Sequence, residues 1–361
     1  MLKNLPSKKY SHLHYFYSVI ALSFLAVGGV LGVSFYVLDV SYAGTNISEV
    51  TIAATRYAHP LDGSVVKKKS DTAVQAVGVM IDNHPDAYPQ AGVSKAKIVY
   101  ETMVEGGITR YFAIFDSKQP VTEVGPVRSA RLYFLDWIAE YGGGLYVHSG
   151  GSPQALAAIK PRKIFDGNEF FLGQYFWRSA DYVAPHNLFI SSENWKKIVG
   201  KYGSKNKLFT ADKAWKYSAT VGKTIGSSGT VTIPFSIGYE VGWTYDAKNL
   251  NYLRTINGKV HVDKDRSEVR TRNLIVQITD VGTISNDDKG RQEIKTVGTG
   301  EAIIFKKGSV TYGTWKKKSL TDRTRFYDQN AKEIILVPGN TWIEVVPKGV
   351  AVMATETPSQ N

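Results

Sequence analysis

The side chains able to do chemistry in this 361-residue chain gather in a few short stretches. Asp82, Asn83 and His84 follow the apolar run VGVMI at 77–81. Ligand groups collect at such strand ends in open α/β sheets, although an Asp or Asn there can equally bond its own turn. In YETMVEGGITR, at 100–110, Glu101 and Glu105 stand at i and i+4, so on an extended segment both carboxylates share a face. Glu101 interrupts apolar residues, and a buried carboxylate requires a partner, for which Arg110 is the nearest. The pair then reads either as a structural ion pair holding the Gly106-Gly107 turn or, if both acids face one cleft, as a paired-carboxylate hydrolase.

GPVRSAR, at 125–131, places Arg128 and Arg131 three apart around Ser129, just ahead of an apolar-periodic run. A helix start there would add its own positive end to two guanidinium groups. The charge calls for an anion, either Glu101 or Glu105, or the carboxylate or phosphate of a substrate. YVHSGGSP, at 146–153, reads as a strand, a Gly-Gly turn containing Gly150, and a helix with Ser152 as N-cap before Pro153. His148 there can carry a proton. Arg178, His186 and Asn187 add cationic, imidazole and amide groups.

The candidate acids and bases are therefore Asp82, Glu101, Glu105, His148 and His186. The candidate ligand-binding residues are Asn83, His84, Arg110, Arg128, Ser129, Arg131, Gly150, Ser152, Arg178 and Asn187. Neither GxxxxGK[ST] nor GxSxG occurs among them. No metal site is expected, since no H-x-x-x-H spacing occurs and a three-histidine site would need His84, His148 and His186 to converge. The sequence specifies no cofactor.

Strands are expected at 77–81, 98–104, 110–115 and 145–148, and helices at 129–141 and 152–159. Leu132, Leu135, Ile138 and Ala139 give the first helix a stripe, which Gly142-Gly143-Gly144 closes. Strands alternating with helices predict a mixed α/β domain over 76–205. Beyond it, Thr-, Val-, Tyr- and Trp-rich runs separated by turn residues predict a β-rich domain over 228–352, with a polar tail at 353–361. Asn257-Gly258 is its strongest hairpin signal, and Trp243, Trp315 and Trp342 are expected in its core rather than as sugar platforms. The expected fold class is α+β, an N-terminal mixed α/β domain followed by a β-rich one.

Residues 15–38 carry no charge and are long enough as a helix to span a bilayer. Lys3, Lys8 and Lys9 in the flank at 1–14 place the N-terminus in the cytoplasm, so a signal anchor is expected, with a tether at 39–75 and everything after it outside. Cleavage after Ser41-Tyr42-Ala43 is the alternative. The chain has 44 Lys and Arg against 32 Asp and Glu; without residues 1–43, 41 and 31 remain, so the basicity belongs to the outer part. There is no cysteine, which rules out thiol chemistry, disulfides and a lipobox.

The strings IDNHPDAYPQAGVSKAKIVYETMVEGGITRYFAIF, GPVRSARLYFLDWIAEYGG, HSGGSPQA and APHNLF resemble, in order over 76–190, the N-terminal domain of the DUF3048 family, also called the YerB-like lipoproteins. HPLDGSVV upstream is similar to that family's lead-in, and 235–350, with Tyr252-Leu253-Arg254 and PGNTWIEVVP, is similar to its C-terminal domain. The resemblance implies a membrane-tethered, envelope-facing protein and no known activity. Its recurrent polar positions fall here on the candidates above, together with Gly106, Gly107 and Thr109. The chain departs from many members in lacking the lipobox cysteine.

Two functions follow as expectations. One is an extracytoplasmic protein that binds, and in one version hydrolyses or modifies, an anionic cell-envelope glycan such as peptidoglycan or teichoic acid through the Arg/Glu/His cluster. The other is a noncatalytic tether or protein-interaction module in which the same cluster is a structural network. Nucleic acid is not an expected partner, because the basic residues are dispersed and no recognition motif occurs.

Overall fold

In a computed structural model the residues described are 57–203, 207–223, 226 and 228–356. The expected flank, the anchor at 15–38, and the ends of the tether and tail lie outside them. Among the described residues no helix is long and apolar enough to cross a membrane.

The fold is strand-rich α+β. The principal strands are β1 Ala76–Asp82, β2 Ile98–Met103, β3 Thr109–Asp116, β4 Leu145–His148, β5 Phe165–Asn168, β6 Ser228–Ser236, β7 Tyr239–Asp246, β8 Asn251–Ile256, β9 Asn273–Thr279, β10 Gly298–Lys306, β11 Ser309–Lys317, β12 Arg325–Asp328, β13 Thr341–Pro347 and β14 Met353–Glu356. The helices are α1 Leu132–Ala139, α2 Pro153–Ile159, α3 Glu169–Leu172 and α4 Ser192–Tyr202.

One ten-stranded sheet organises the molecule, in the order β12-β11-β10-β9-β13-β2-β3-β1-β4-β5. Its middle is a parallel pairing of β13 with β2, in the register Thr341↔Ile98 to Val345↔Thr102. Strands from 76–205 and from 228–352 are thus hydrogen-bonded to each other in a single sheet. A second sheet runs β8-β7-β6-β14, with short strands Lys259–Val260 and Arg270–Thr271 both paired to β8.

Period-two alternation sends the two sides of each central strand into different cores. Met80, Tyr100, Phe112, Tyr146 and Ile343 pack with Phe134, Trp137 and Ile138 of α1. Val79, Val99, Tyr111, Val147 and Trp342 pack with Ile233 and Trp243 of the second sheet and with Trp195 of α4. Trp243, Trp315 and Trp342 are all buried, as the sequence led us to expect. Asn257-Gly258 does make the β8 hairpin turn, with φ of 48° and 75° at its two residues, the positive pair that a type I′ turn needs.

Two local expectations change. The second half of the expected tether is folded: Leu61 and Val74 are buried, Ala73–Val74 pairs with Phe209–Thr210, and Lys97 bonds Asp62 at 2.6 Å. The apolar side chains of this stretch outweigh its Lys67–Lys69 run. The first helix begins at Leu132, not at 129, because the chain before it is spent on extended bonds. The Arg128 amide donates to Met80, that of Ala130 to Gly150, and that of Ser149 to Arg128. Arg128 and Ser129 therefore precede the helix and Arg131 is its N-cap residue, without a side-chain capping bond.

Candidate functional site

The parallel strands β1, β4 and β5 end side by side, and their carboxyl ends present Asp82, His148 and Asn168. The last residue of β1, Asp82, is fully buried. Its Oδ2 lies 2.6 Å from His186 Nδ1, and its Oδ1 accepts the His84 amide at 3.2 Å. Arg128 Nε stands 2.8 Å from the same Oδ2 as an ion pair, although its N–H is not aligned for a hydrogen bond. Burial alone would raise the Asp82 carboxyl, but Arg128 and Arg110 outweigh it and hold the group below the usual carboxylate range. Asp82 is therefore an anchor that stays ionised rather than an acid poised near neutrality. The His84 and His186 rings stack, with centroids 4.6 Å apart and planes 16° from parallel. Asp86 completes this group, its carboxylate 3.5 Å from His84 Nδ1.

A second set joins Glu105, Arg110, Ser129 and Arg131. Arg131 forks onto Glu105, with Nε to Oε2 at 3.0 Å and its terminal nitrogen on Oε1. Arg110 stands 3.7 Å from Glu105 Oε1 and donates to the Ser129 carbonyl at 3.1 Å. Of the two anions open to Arg131 in the sequence, Glu105 is the one used.

The expectation that Arg110 partners Glu101 does not hold. Glu101 is fully buried and bonds Arg254 of β8 at 2.6 Å, while Tyr239 and Thr109 donate to its other oxygen at 2.6 and 2.7 Å. Asn83 belongs to this buried network. Its amide donates to Thr109 and Tyr239, and its oxygen accepts from Tyr88 and Gln90. Arg254 lies 4.8 Å from the Trp342 ring centre and 5.4 Å from that of Tyr111. Glu101 and Glu105 consequently do not face one cleft.

His148 is also sealed, with Nδ1 2.7 Å from the Gly150 carbonyl and Nε2 2.9 Å from Asp166. Gly150 has φ of 59°, and its amide is taken by Asn168. Ser152 caps α2 by accepting the Ala155 amide. Arg178 donates to Asn187 at 2.9 Å and stands 3.6 Å from Glu169. The candidates thus split into a group anchored on buried Asp82 that reaches solvent through His84, a paired group at Glu105, and a sealed group at Glu101. His84 and His186 come together; His148 does not join them.

Sequence reasoning missed Asp86, Arg254, Tyr239 and Glu344. Asp86 was legible in the string HPD, two residues after His84, whereas Arg254 lies 153 residues from Glu101 and no spacing rule connects them.

A different concavity opens at the other ends of β1, β4 and β5. It is a cleft of about 1030 Å³ lined by nine Lys and Arg residues against three acids. Arg162, Lys317, Arg323 and Arg325 there are paired with Asp136, Glu140, Glu140 and Glu333. Lys163, Lys207, Lys213 and Lys318 make no ion pair among the described residues.

Comparison with known proteins fits this two-part chain. Residues 61–205 match the N-terminal domain, and 231–343 the C-terminal domain, of the protein of unknown function DUF3048. The chain belongs to the DUF3048 family. It is 33% identical over 300 residues to "Putative lipoprotein YerB" of Bacillus subtilis (strain 168), covering 81% of this chain and 87% of that protein. The crystal structure of YerB protein from Bacillus subtilis superposes with a TM-score of 0.72 at 30% identity, over 82% of this chain and 99% of that one. In this DUF3048 protein the sheet-centre pairing of β2 with β13 joins the two family segments.

Proposed function

We propose that this DUF3048 protein is a membrane-attached, extracytoplasmic protein that binds an anionic cell-envelope polymer, with the basic cleft as its binding surface. The lipoprotein name of its Bacillus subtilis relative supports the location. In the absence of a cysteine, residues 15–38 are the proposed attachment. The carrying observation is the cleft itself: Lys163, Lys207, Lys213 and Lys318 line one concavity and form no ion pair among the described residues. Such a concentration of one sign repels itself and attracts a phosphate- or carboxylate-bearing chain. The volume, about 1030 Å³, lies at the upper end of ligand cavities and suits a polymer segment better than a free anion.

The Arg/Glu/His cluster supports the binding role less well, because Arg131 is committed to Glu105 and Glu101 to Arg254. That closure favours the second reading for this part of the molecule, a structural polar network. No hydrolytic step follows from it.

The test is retention of the detergent-solubilised full chain on purified teichoic acid and on peptidoglycan. Wild type is expected to be retained, and Lys163→Glu/Lys318→Glu to be released while unfolding at the same temperature. Absence of retention by wild type, or equal retention of both, overturns the proposal.

A further inference from the structure

We propose that His84, Asp86 and His186 form a binding site for one divalent transition-metal ion of zinc type, at the carboxyl end of β1. The site is distinct from the basic cleft and stands or falls independently of polymer binding. One ligand atom from each of the three side chains lies within 4.8 Å of the other two. Two donors on a tetrahedral zinc at about 2.1 Å are roughly 3.4 Å apart. His84 Nδ1 and Asp86 Oδ2 stand at 3.5 Å, so the imidazole and the carboxylate already lie side by side.

The short turn Pro85–Ala87 sets this spacing. His84 is its N-cap residue and accepts the Asp86 amide through Nδ1 at 3.2 Å, so the imidazole and the carboxylate project from one tight turn and Nε2 is the His84 nitrogen left for an ion. The third ligand is prepared differently. Asp82 takes Nδ1 of His186 at 2.6 Å, which leaves Nε2 as the donor beside the His84 ring. A carboxylate on the far nitrogen of a ligating histidine fixes its tautomer and raises its basicity, the usual outer support of a zinc-bound imidazole. Asp82 is in turn fixed by Arg128 and the His84 amide. Arg128 pairs with Asp82, whereas the only ion-pair partner of Asp86 among the described residues is His84.

Two imidazoles and one carboxylate form the donor set of catalytic zinc sites, which keep a fourth position open. Here that position faces water, since Asp86 is 69% exposed and His84 38% exposed at the side chain. Because the two rings now stack, closing the set from 4.8 Å requires His84 to swing out of the stack until its nitrogen and that of the fixed His186 point at one ion, with Asp86 following.

The experiment titrates zinc into the detergent-solubilised full chain, stripped with chelator, and follows heat and cobalt(II) absorption. One ion per chain is expected at this site, with a visible cobalt band. His84→Ala and Asp86→Asn, both partly exposed and remote from the core, should each weaken binding at least tenfold. Zinc should raise the unfolding temperature of wild type and not of the double variant. His12 and His14 also offer imidazoles, so ions held there persist in the double variant and are subtracted. No zinc binding by wild type beyond that of the double variant overturns the site, as does undiminished binding in both single variants.

Discussion

Glu101 and Glu344 stand directly opposite each other on the parallel strands β2 and β13, both closed to solvent, and Glu101 forms the ion pair with Arg254. Two carboxylates so placed cannot both ionise. Burial, and then the Glu101 charge, push the Glu344 carboxyl well above its ordinary value. The network therefore holds one anion, one neutral acid and one cation. Trp243 Nε1 donates to the neutral acid at 2.8 Å.

The two glutamates should respond unequally to the same substitution. Glu101→Gln removes the direct ion-pair partner of Arg254, and Glu344 has to ionise in a fully buried position to replace it, so about 3–5 kcal/mol should be lost. Glu344→Gln keeps an acceptor for Trp243 and removes no charge, so about 1 kcal/mol or less is expected. Urea unfolding of the two variants decides, and equal losses would disprove the assignment of charge.

Asp263 supplies a pH dependence. Its oxygens accept the Val93 and Ser94 amides, yet burial pushes the carboxyl up to about 6. A folded-state value above the unfolded one means the native chain holds the proton longer. The contribution is fully present below the unfolded value, near 4, and is lost as pH rises through about 6. Asp263→Asn does not titrate, so the stability gap between wild type and variant should shrink by roughly 1–3 kcal/mol between those limits. A constant gap in unfolding curves across the range would contradict this.

The Arg131 fork on Glu105 makes an arginine-specific claim. Lysine offers a point charge and cannot reach both oxygens while also donating to the Ala130 carbonyl, as Arg131 does at 2.7 Å. Arg131→Lys should cost about 1–2 kcal/mol in thermal unfolding. An unchanged midpoint would mean that charge alone suffices.

Polymer retention in the basic cleft should be electrostatic. Raising sodium chloride from about 0.05 to 0.3 M, which roughly halves the Debye length, should release the bound chain. The Lys213→Ala variant should come off at lower salt than wild type. Retention indifferent to salt would point to apolar or hydrogen-bonded recognition instead.

Much of this molecule was legible before folding. The runs at 77–81 and 145–148 are strands, and the Asn257-Gly258 turn lies where its residue types demand. Ser152 caps its helix as Ser-Pro predicts. What local pattern could not supply was partnership at long range. Asp82 finds His186 across 104 positions and Glu101 finds Arg254 across 153, distances at which neither periodicity nor capping chemistry carries a signal. The helix start also shifted, since Arg128 and Ala130 use their amides on β1 and on the turn after β4, a competition invisible in a window of neighbouring residues.

The pairing of β2 with β13 has a consequence for how the chain is made. Ile98 waits for Thr341, so nearly the whole polypeptide must leave the ribosome before the centre of the sheet can close. Until then β2 is an open parallel edge with apolar Val99 and Tyr100 on it, a template for the wrong partner. Such a topology folds slowly and late. A chain truncated before residue 341 should therefore aggregate rather than yield a stable N-terminal half.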